Sequence, residues 1–569
     1  PDKTTAFDSR GRRTTQSFPK GISRFPHQSS CFQRSTEATT YYSLLPAMDP
    51  DPAQLLQCAT DFAQYPGTQT DAAARELLHR FPLPVILSVL QSRTDSPPGL
   101  EDALVACLER LFSTRYGASF IPQYMPFLQM ALSADAEKIR RLGCKTVAYL
   151  LEKSCEEGIA SPEQLIIDHG IYPLLLDCLI NGVRVNCITS WRWCNFVIFA
   201  KTLQEIIFPS NNGEATHLRN LLVRCSSLGR VRVLSLIVKL FAVSPSVASA
   251  VYSSNLLGLL EAEINNSSDM LVTLSVLELF YELAEVEHGT ELLSRTTLIQ
   301  LLTRMISDVT MDTILRSRAM MISGRVLSAD DAFKFCDESE SGVKSLILAI
   351  EGRLLAETLD ANECESALEA LGQIGSSVPG ATLILTLSPP PARHVIDAAF
   401  NRQVHGKQLA GLHSFANISG ETRPENNRIL SAVAEDNLKR LMYEIASRSS
   451  KLTPSGLLLS VLQQDSEVRL AAYRVITGLV ARPWCLMEVC SKQDVINKVT
   501  DPSTESTKGG MEAKYKCCKA IYEAFSVRFS SNPAFSGIAA KLQEAVDRGP
   551  YLTRKNRESQ PAVMTADRL

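Results

Sequence analysis

The sequence lacks the common short motifs that point to catalysis. It has no G-x-x-x-x-G-K-[ST] phosphate loop, no H-E-x-x-H metal motif, no paired C-x-x-C and no serine nucleophile elbow. Its eight His residues are dispersed along the chain without the spacing of metal ligands. We therefore expect a protein that is not an enzyme and that needs no cofactor or metal ion.

Long apolar runs and a strong net charge are missing as well. The most apolar stretch, 191–208, contains Arg192, Lys201 and Glu205, so no membrane-spanning helix is expected. The formal net charge is −3, and residues 1–47, with seven basic and three acidic residues, carry a positive excess. The rest of the chain is therefore mildly acidic, which argues against nucleic-acid binding and for protein partners.

Aromatic residues are scarce. They make up 7% of the chain, whereas hydrophobic residues as a whole reach 45%. An apolar content dominated by Leu, Ala, Val and Ile is typical of helix-on-helix packing, and the alternating β-branched runs that indicate strands are rare. A chain of 569 residues is too long for one compact domain, so we expect an elongated all-α array.

The fifteen Cys residues are scattered through helical patterns. Cysteine used in this way behaves as a small buried hydrophobic side chain. Such usage is typical of a reducing compartment. We expect a cytoplasmic protein, with the nucleus as a further location.

A helical pattern recurs along the chain. The succession Asp-x-x-aliphatic-Arg-x-x-Ala occurs at 312–319 and again at 465–472. Looser copies place apolar or small residues at +3, +4, +7 and +11 from Val231 and from Val272, and less complete copies start at Ile139 and Cys364. Recurrence at about 40 to 50 residues, or a multiple of it, is typical of solenoid units. The chain is predicted to form a right-handed α-solenoid of HEAT/armadillo-like helical repeats.

Each residue type in the repeat has an expected structural role. The Asp at the helix start accepts from the unpaired N–H groups of the first turn. The small residue at +4 lies where one helix passes close to the next. The Arg is expected to pair with the Asp of an adjacent unit, which would give a polar ladder between repeats.

Residues 1–47 differ from the rest of the chain. They contain fourteen Ser or Thr and little acid, a composition that resembles an organellar transit peptide. Alternatively, they lie upstream of the true start, since Met48 directly precedes the first helical pattern. We favour a disordered N-terminal extension at 1–47, a solenoid at 48–550 and a flexible tail at 551–569.

Three further segments interrupt or shape the pattern. The stretch 184–200 holds two of the three Trp residues and lacks small residues. It could be a binding hot spot at 191–193, since Trp and Arg dominate such sites. We favour the alternative, an irregular segment in place of a repeat helix. Three prolines at 389–391 should end a helix. Helices are expected at 426–434 and 438–447, and a polar surface loop at 501–510.

The C-terminal third contains an ordered series of short motifs: EVRLAA at 467–472, ARPW at 481–484, AKY at 513–515, Lys519-Ala520, Asn532-Pro533 and GPY at 549–551. This series resembles the proteasome non-ATPase regulatory subunit 5 family of HEAT/armadillo proteins. Weaker similarity extends back to about Met48.

The resemblance implies a function without catalysis. Family members are chaperones for assembly of the 26S proteasome regulatory-particle base and are absent from the mature particle. The resemblance implies that the chain binds the C-terminal domain of a proteasomal ATPase subunit, in an intermediate with a second ATPase and the large scaffold subunit, and is a monomer before binding. A generic armadillo/HEAT adaptor is the alternative, although the Trp ladder of nuclear import receptors is missing from a chain with three Trp.

Periodicity also nominates a binding face. Solenoids hold partners in the groove formed by their inner helices. Opposite the apolar stripe, at +5 and +9, the candidate protein-binding residues are Tyr281, Glu369, Gln373, Tyr473 and Thr477. Alternatively, these side chains contact only a neighbouring helix or solvent.

Overall fold

The computed structural model describes residues 51–92, 97–153, 162–181, 208, 216–266, 269–294, 296–335, 340–356, 360–529 and 536–551. Within these ranges the regular structure is α-helix, with short 3₁₀ turns at Ile121–Tyr124 and Glu425–Asn427 and no strand. The chain divides into two compact units: residues 1–68 with 75–107, and residues 69–74 with 108–569. The predictions for 1–47 and 184–200 fall outside the described residues.

The first unit contains α1 (Pro52–Gln64), α3 (Leu83–Gln91) and most of α2 (Asp71–Arg80) and α4 (Leu100–Phe112). Asp51 caps α1 by accepting from the backbone N–H of Ala53 at 3.0 Å. The apolar faces of these helices are buried, as in Leu55 of α1 and Leu104 of α4. These helices are amphipathic, and α1, α2 and α3 have Pro or Asp at or near their starts. Both signals are visible in the sequence, so the pattern located the helices well.

The second unit contains the remaining helices, which are α5 (Arg115–Ala118), α6 (Met125–Leu132), α7 (Glu137–Lys153), α8 (Pro162–Asp168), α9 (Ile171–Asn181), α10 (Thr216–Arg224), α11 (Ser227–Val243), α12 (Pro245–Ser253), α13 (Leu257–Asn266), α14 (Met270–Glu285), α15 (Gly289–Ser294), α16 (Leu298–Ser307), α17 (Thr313–Val326), α18 (Asp330–Phe335), α19 (Glu340–Leu354), α20 (Ala361–Ile374), α21 (Val378–Thr386), α22 (Ala392–Phe400), α23 (His405–Ile418), α24 (Ala432–Arg448), α25 (Pro454–Leu462), α26 (Ser466–Leu479), α27 (Pro483–Ser491), α28 (Gln493–Thr500), α29 (Lys508–Phe529) and α30 (Ser536–Arg548).

From α11 onward the helices stack in units of three. Each of α11, α14, α17, α20, α23, α26 and α29 packs on the next member of this series, and we call these the third helices. Parallel to this row, α16 packs on α19 and α25 on α28, while α15, α18, α21 and α24 pack in succession. Three rows of equivalent helices make an α-solenoid of armadillo-like units, which confirms the predicted fold class.

N-terminal caps fix where the third helices begin. Asp465 accepts from the backbone N–H groups of Glu467 and Val468 at 3.0 and 3.1 Å. Asp269, Asp312 and Asp360 cap α14, α17 and α20 in the same way. The capping role predicted for the repeat Asp is therefore confirmed. The break at prolines 389–391 is also present, between α21 and α22.

Close helix contacts explain the small residues of the repeat. Ala319 and Ala472, both at +4, are fully buried. The tightest approach occurs between α20 and α23, where a Cβ added to Gly372 would lie 2.4 Å from Ser414 Oγ. No side chain fits there without moving one of the helices.

A polar ladder connects successive units, but its acceptor is Glu and not the predicted Asp. Arg316 Nε donates to Glu363 at 2.8 Å, and Arg469 Nε donates to Glu505 at 2.6 Å. In both cases the acceptor belongs to the following unit. The repeat Asp is unavailable because its carboxylate already caps its own helix.

The ladder also corrects the register of two repeat copies. In α11 the ladder residue is Arg230, which donates to both Glu263 oxygens at 3.0 Å, and not Arg232 of the predicted copy. The copy therefore starts two residues before Val231, and in α20 it starts at Glu363, one residue before Cys364. α11 is apolar around most of its circumference, so periodicity alone could not select the register.

Two other local predictions are wrong. Instead of the expected helices at 426–434 and 438–447 there is one helix, α24, which begins only at Ala432. Glu435 accepts from the backbone N–H of Leu430 at 2.8 Å and fixes this start. The expected surface loop at 501–510 ends at Lys508, where α29 begins. Glu505 in that loop is buried because it binds Arg469.

Candidate partner-binding face

A common numbering shows which side of the third helices is open. We define position 0 as the third residue of each third helix, which is Gly229, Val272, Leu315, Glu363, Lys407, Val468 and Gly510. Positions +4, +7, +8 and +11 are buried in all seven helices, whereas positions +2 and +6 are buried in none. Position +10 is buried only in α26 among these seven helices. Positions +2, +6 and +10 form what we call the third-helix face.

Tyr473 and Thr477 do not lie on this face, so their predicted place in an accessible groove is wrong. Both are buried: Tyr473 Oη donates to Glu505 at 3.1 Å, and Thr477 Oγ1 donates to the Tyr473 carbonyl at 2.8 Å. α26 is flanked by the third helices α23 and α29 of the preceding and following units. Its positions +5 and +9 therefore contact a neighbouring unit instead of solvent.

Glu369 and Gln373 do lie on the face. They occupy +6 and +10 because position 0 of α20 is Glu363 and not Cys364. Tyr281, at +9 of α14, is half-buried beside the face, and the Arg318 guanidinium lies 4.0 Å from its ring centre. Arg318 also pairs with Glu278. A partner-binding role for these three predicted residues stays a prediction.

The middle of the face carries four carboxylates, which we call the acidic patch: Glu278 and Glu282 of α14, and Glu365 and Glu369 of α20. Partial burial raises the pKa of Glu369, and the Glu365 carboxylate raises it further. Burial also raises the pKa of Glu282, an effect that Lys239 opposes and Glu278 reinforces. An approaching cation would stabilise the ionised form of both side chains and so oppose these upward pKa shifts.

Towards its C-terminal end the face carries two cations, together with the exposed carboxylate of Glu512 at +2 of α29. Arg474 and Lys516, both at +6, bind the buried carboxylate of Glu421, with Arg474 Nη2 at 3.0 Å. Burial alone would raise the pKa of Glu421, but hydrogen bonds from Lys516 and Arg474 lower it overall. Arg474 Nη1 lies 2.7 Å from His413 Nδ1, and burial and this guanidinium together lower the His413 pKa. The imidazole is therefore neutral, and two cations share one anion.

Among the described residues, no group of three or more His, Cys, Asp or Glu side chains is placed to hold a metal ion. None of the described helices has the length and apolarity to cross a membrane. A groove of about 630 Å³ is lined by equal numbers of acidic and basic side chains. The acidic ones are Asp494, Asp501 and Glu544, and the basic ones are Lys498, Lys541 and Arg548.

Comparison with known proteins decides the family. A family model described as "Proteasome non-ATPase 26S subunit" matches residues 198–567. The chain belongs to this family. The match covers all seven of the third helices, α11 to α29, and it confirms the resemblance inferred from the C-terminal motifs. Membership in the proteasome non-ATPase family gives the chain a proteasome-related role.

Individual relatives agree with the family assignment. The 26S proteasome non-ATPase regulatory subunit 5 of Homo sapiens is 23% identical over 375 residues, which cover 62% of this chain and 69% of that protein. The Bos taurus protein of the same name is 22% identical over 371 residues, with the same coverage. Similar solved structures include an engineered protein (TM-score 0.40, 14% identity, 77% of this chain and 98% of that one) and a designed armadillo repeat protein (0.35, 11%, 46% and 98%).

Proposed function

We propose that the chain is a non-catalytic chaperone for assembly of the base of the 26S proteasome regulatory particle. It binds the C-terminal domain of a proteasomal ATPase subunit through the third-helix face, in an intermediate that also holds a second ATPase and the large scaffold subunit. It leaves before the particle matures. The family match over 198–567, which includes the whole third-helix face, is the observation that carries this proposal.

The charge pattern of the face supports binding to a protein. The acidic patch and the cations Arg474 and Lys516 lie along one continuous row of helices, and solenoids use such extended surfaces for recognition. A partner that presents Lys or Arg to α14 and α20, and acid to Arg474 and Lys516, would match both sets of charges. Complementarity of this kind raises the association rate and fixes the binding register.

The remaining parts of the proposal concern the state of the free protein. The protein is a monomer before it binds, acts in the cytoplasm or nucleus, and needs neither nucleic acid nor a cofactor. These statements rest on the family and on the repeat architecture of the described residues.

The test is native mass spectrometry of the full chain mixed in turn with the C-terminal domain of each proteasomal ATPase. We expect one-to-one binding to a single domain. The variant Glu365→Gln/Glu369→Gln should weaken that binding. The control Glu425→Gln/Asp436→Asn, which removes two exposed charges away from the face, should leave it unchanged.

Two results would contradict the proposal. If the folded chain bound none of the domains, the chaperone function would be wrong and the general armadillo/HEAT adaptor would remain. If one domain bound equally well to both variants, the function would stand, but the acidic patch would have no part in it.

A further inference from the structure

Large aliphatic side chains are exposed at one repeated position outside the third-helix face. Leu228, Leu271 and Ile314 are 58%, 67% and 56% exposed. Each lies at position −1, directly before position 0, in three consecutive third helices, α11, α14 and α17. Neighbours in this row are 43 residues apart, from 228 to 271 and from 271 to 314. The row therefore follows the repeat itself.

Further exposed apolar residues extend the row. Val223 and Val309, at 87% and 75% exposure, lie six residues before position 0 of α11 and α17, and Met270 lies beside Leu271. These side chains flank the starts of the third helices. We call the whole set the apolar edge: Val223, Leu228, Met270, Leu271, Val309 and Ile314.

The fold does not require apolar residues at this edge. In α20 and α26 the residue at −1 is Asn362 or Glu467, and both are exposed. Single exposed apolar residues are ordinary on protein surfaces, whereas here position −1 is apolar and exposed in three adjacent units, with further exposed apolar residues beside it. The stacking of the repeats therefore does not explain why these residues are apolar.

Acidic groups line the edge. Asp269 and Asp312 cap α14 and α17 and lie two residues before the exposed Leu271 and Ile314. Asp308 adjoins Val309, and hydrogen bonds from the Thr310 hydroxyl and backbone N–H lower the Asp308 pKa, so this carboxylate is ionised at neutral pH. Arg224, at the end of α10, is a basic residue near the N-terminal end of the edge.

The spacing of the edge matches a helix. Packed neighbouring helices lie about 8–10 Å apart, so three third helices space Leu228, Leu271 and Ile314 by about this distance. On an α-helix, residues i and i+7 are separated by about 10 Å along the axis. A helix lying across the starts of α11, α14 and α17 could therefore place apolar residues i, i+7 and i+14 against Leu228, Leu271 and Ile314 in turn.

We propose that the apolar edge docks an amphipathic α-helix of a partner polypeptide, with aliphatic side chains on one face and Lys or Arg beside them. The aliphatic residues cover Leu228, Leu271 and Ile314, and the basic residues meet Asp269, Asp308 and Asp312. This surface lies at the starts of the third helices, whereas the third-helix face runs along their sides. The proposal therefore does not depend on the function proposed above.

The probe for this site is a fluorescein-labelled synthetic peptide of about 20 residues, long enough to form a helix, with Leu along one face and Lys elsewhere. Fluorescence anisotropy measures its binding to the full chain. We expect the triple variant Leu228→Ser/Leu271→Ser/Ile314→Ser to weaken the Kd by about tenfold or more. The matched control, Leu348→Ser/Val433→Ser/Val527→Ser, changes three exposed aliphatic residues elsewhere and should bind like the unchanged chain.

A second variant tests the charges without altering the edge or its fold. In Asp269→Asn/Asp312→Asn the amide still caps each helix, because Asn is as good a cap as Asp. We expect weaker binding of the Leu/Lys peptide and a flatter salt dependence. A peptide with Glu in place of Lys should bind more weakly to the unchanged chain.

Three results would overturn the proposal. Equal binding to the triple variant and to the unchanged chain would show that the edge is not the docking site. Equally tight binding of the Leu/Glu peptide would show that the docked helix needs no Lys or Arg residues. Sedimentation equilibrium that showed a dimer of the full chain, converted to monomer by the triple variant, would make a second copy the occupant instead.

Discussion

Arg482 connects three helices of the solenoid through one guanidinium group. The side chain is 1% exposed. Its Nε and Nη2 donate to the two Glu435 oxygens at 2.7 and 2.9 Å. Nη1 donates to the carbonyls of Ser419 and Gly478, both at 2.9 Å, and Nη2 donates to the Arg428 carbonyl at 3.1 Å. The ends of α23 and α26 are thereby joined to α24.

The variant Arg482→Ala should destabilise this part of the chain strongly. It leaves the Glu435 carboxylate without its cation and three carbonyls without this donor. Loss of one partner of a buried ion pair costs about 3–5 kcal/mol. Because the Glu435 side chain keeps 18% exposure, we expect the lower end of this range, about 3 kcal/mol. The control Arg448→Ala breaks an exposed pair with Glu444 and should cost about 0.5 kcal/mol or less.

Urea unfolding and hydrogen exchange measure the two consequences. The free energy of unfolding gives the size of the loss, and exchange read by mass spectrometry gives its location. In a stack whose units contact only their neighbours, faster exchange should be concentrated in 405–491, with 270–335 little changed. A loss below about 1 kcal/mol, or a uniform rise in exchange over both ranges, would refute the reasoning.

Three further variants test other parts of the account. Tyr473→Phe should cost about 1 kcal/mol in urea unfolding, because buried Glu505 loses a donor; unchanged stability would contradict the burial of this position. Gly372→Ala should cost about 1–3 kcal/mol, since its Cβ would meet Ser414, while Gly352→Ala, with open space around it, should be neutral or stabilising. Burial raises the pKa of Glu363, but hydrogen bonds from two arginines lower it overall, so its stabilisation is present above about pH 4.3 and is lost as pH falls through the folded-state pKa. Glu363→Gln should flatten the dependence of urea unfolding on pH in that window, and an unchanged pH profile would exclude this contribution.

The repeat could be identified from the sequence because its signals are local. The Asp cap, the aliphatic residue and the small residue at +4 all act within one helix or between adjacent helices, so the copies at 312–319 and 465–472 predicted the fold class and the row of third helices. Helix starts marked by Asp or Pro were also well placed. The starts of α1, α3 and α22 are examples.

The binding face could not be fully predicted because it depends on neighbours that are distant in sequence. A pattern of apolar residues identifies the core side of Tyr473 and Thr477, but not the second contact that α29 makes with α26. The register error in α11 arose for a related reason, since the ladder acceptor Glu263 is distant in sequence from Arg230, which it binds. The apolar edge appears only once position 0 is known in each unit.

The most direct test of the proposed binding face is zero-length coupling of carboxylates to amines in a mixture of the full chain with the ATPase C-terminal domain that we propose as its partner. Cross-linked peptides would be mapped by mass spectrometry. The account predicts links from Glu365 and Glu369, in the acidic patch, to Lys residues of the ATPase domain. Links confined to glutamates away from the face, such as Glu425, would contradict it.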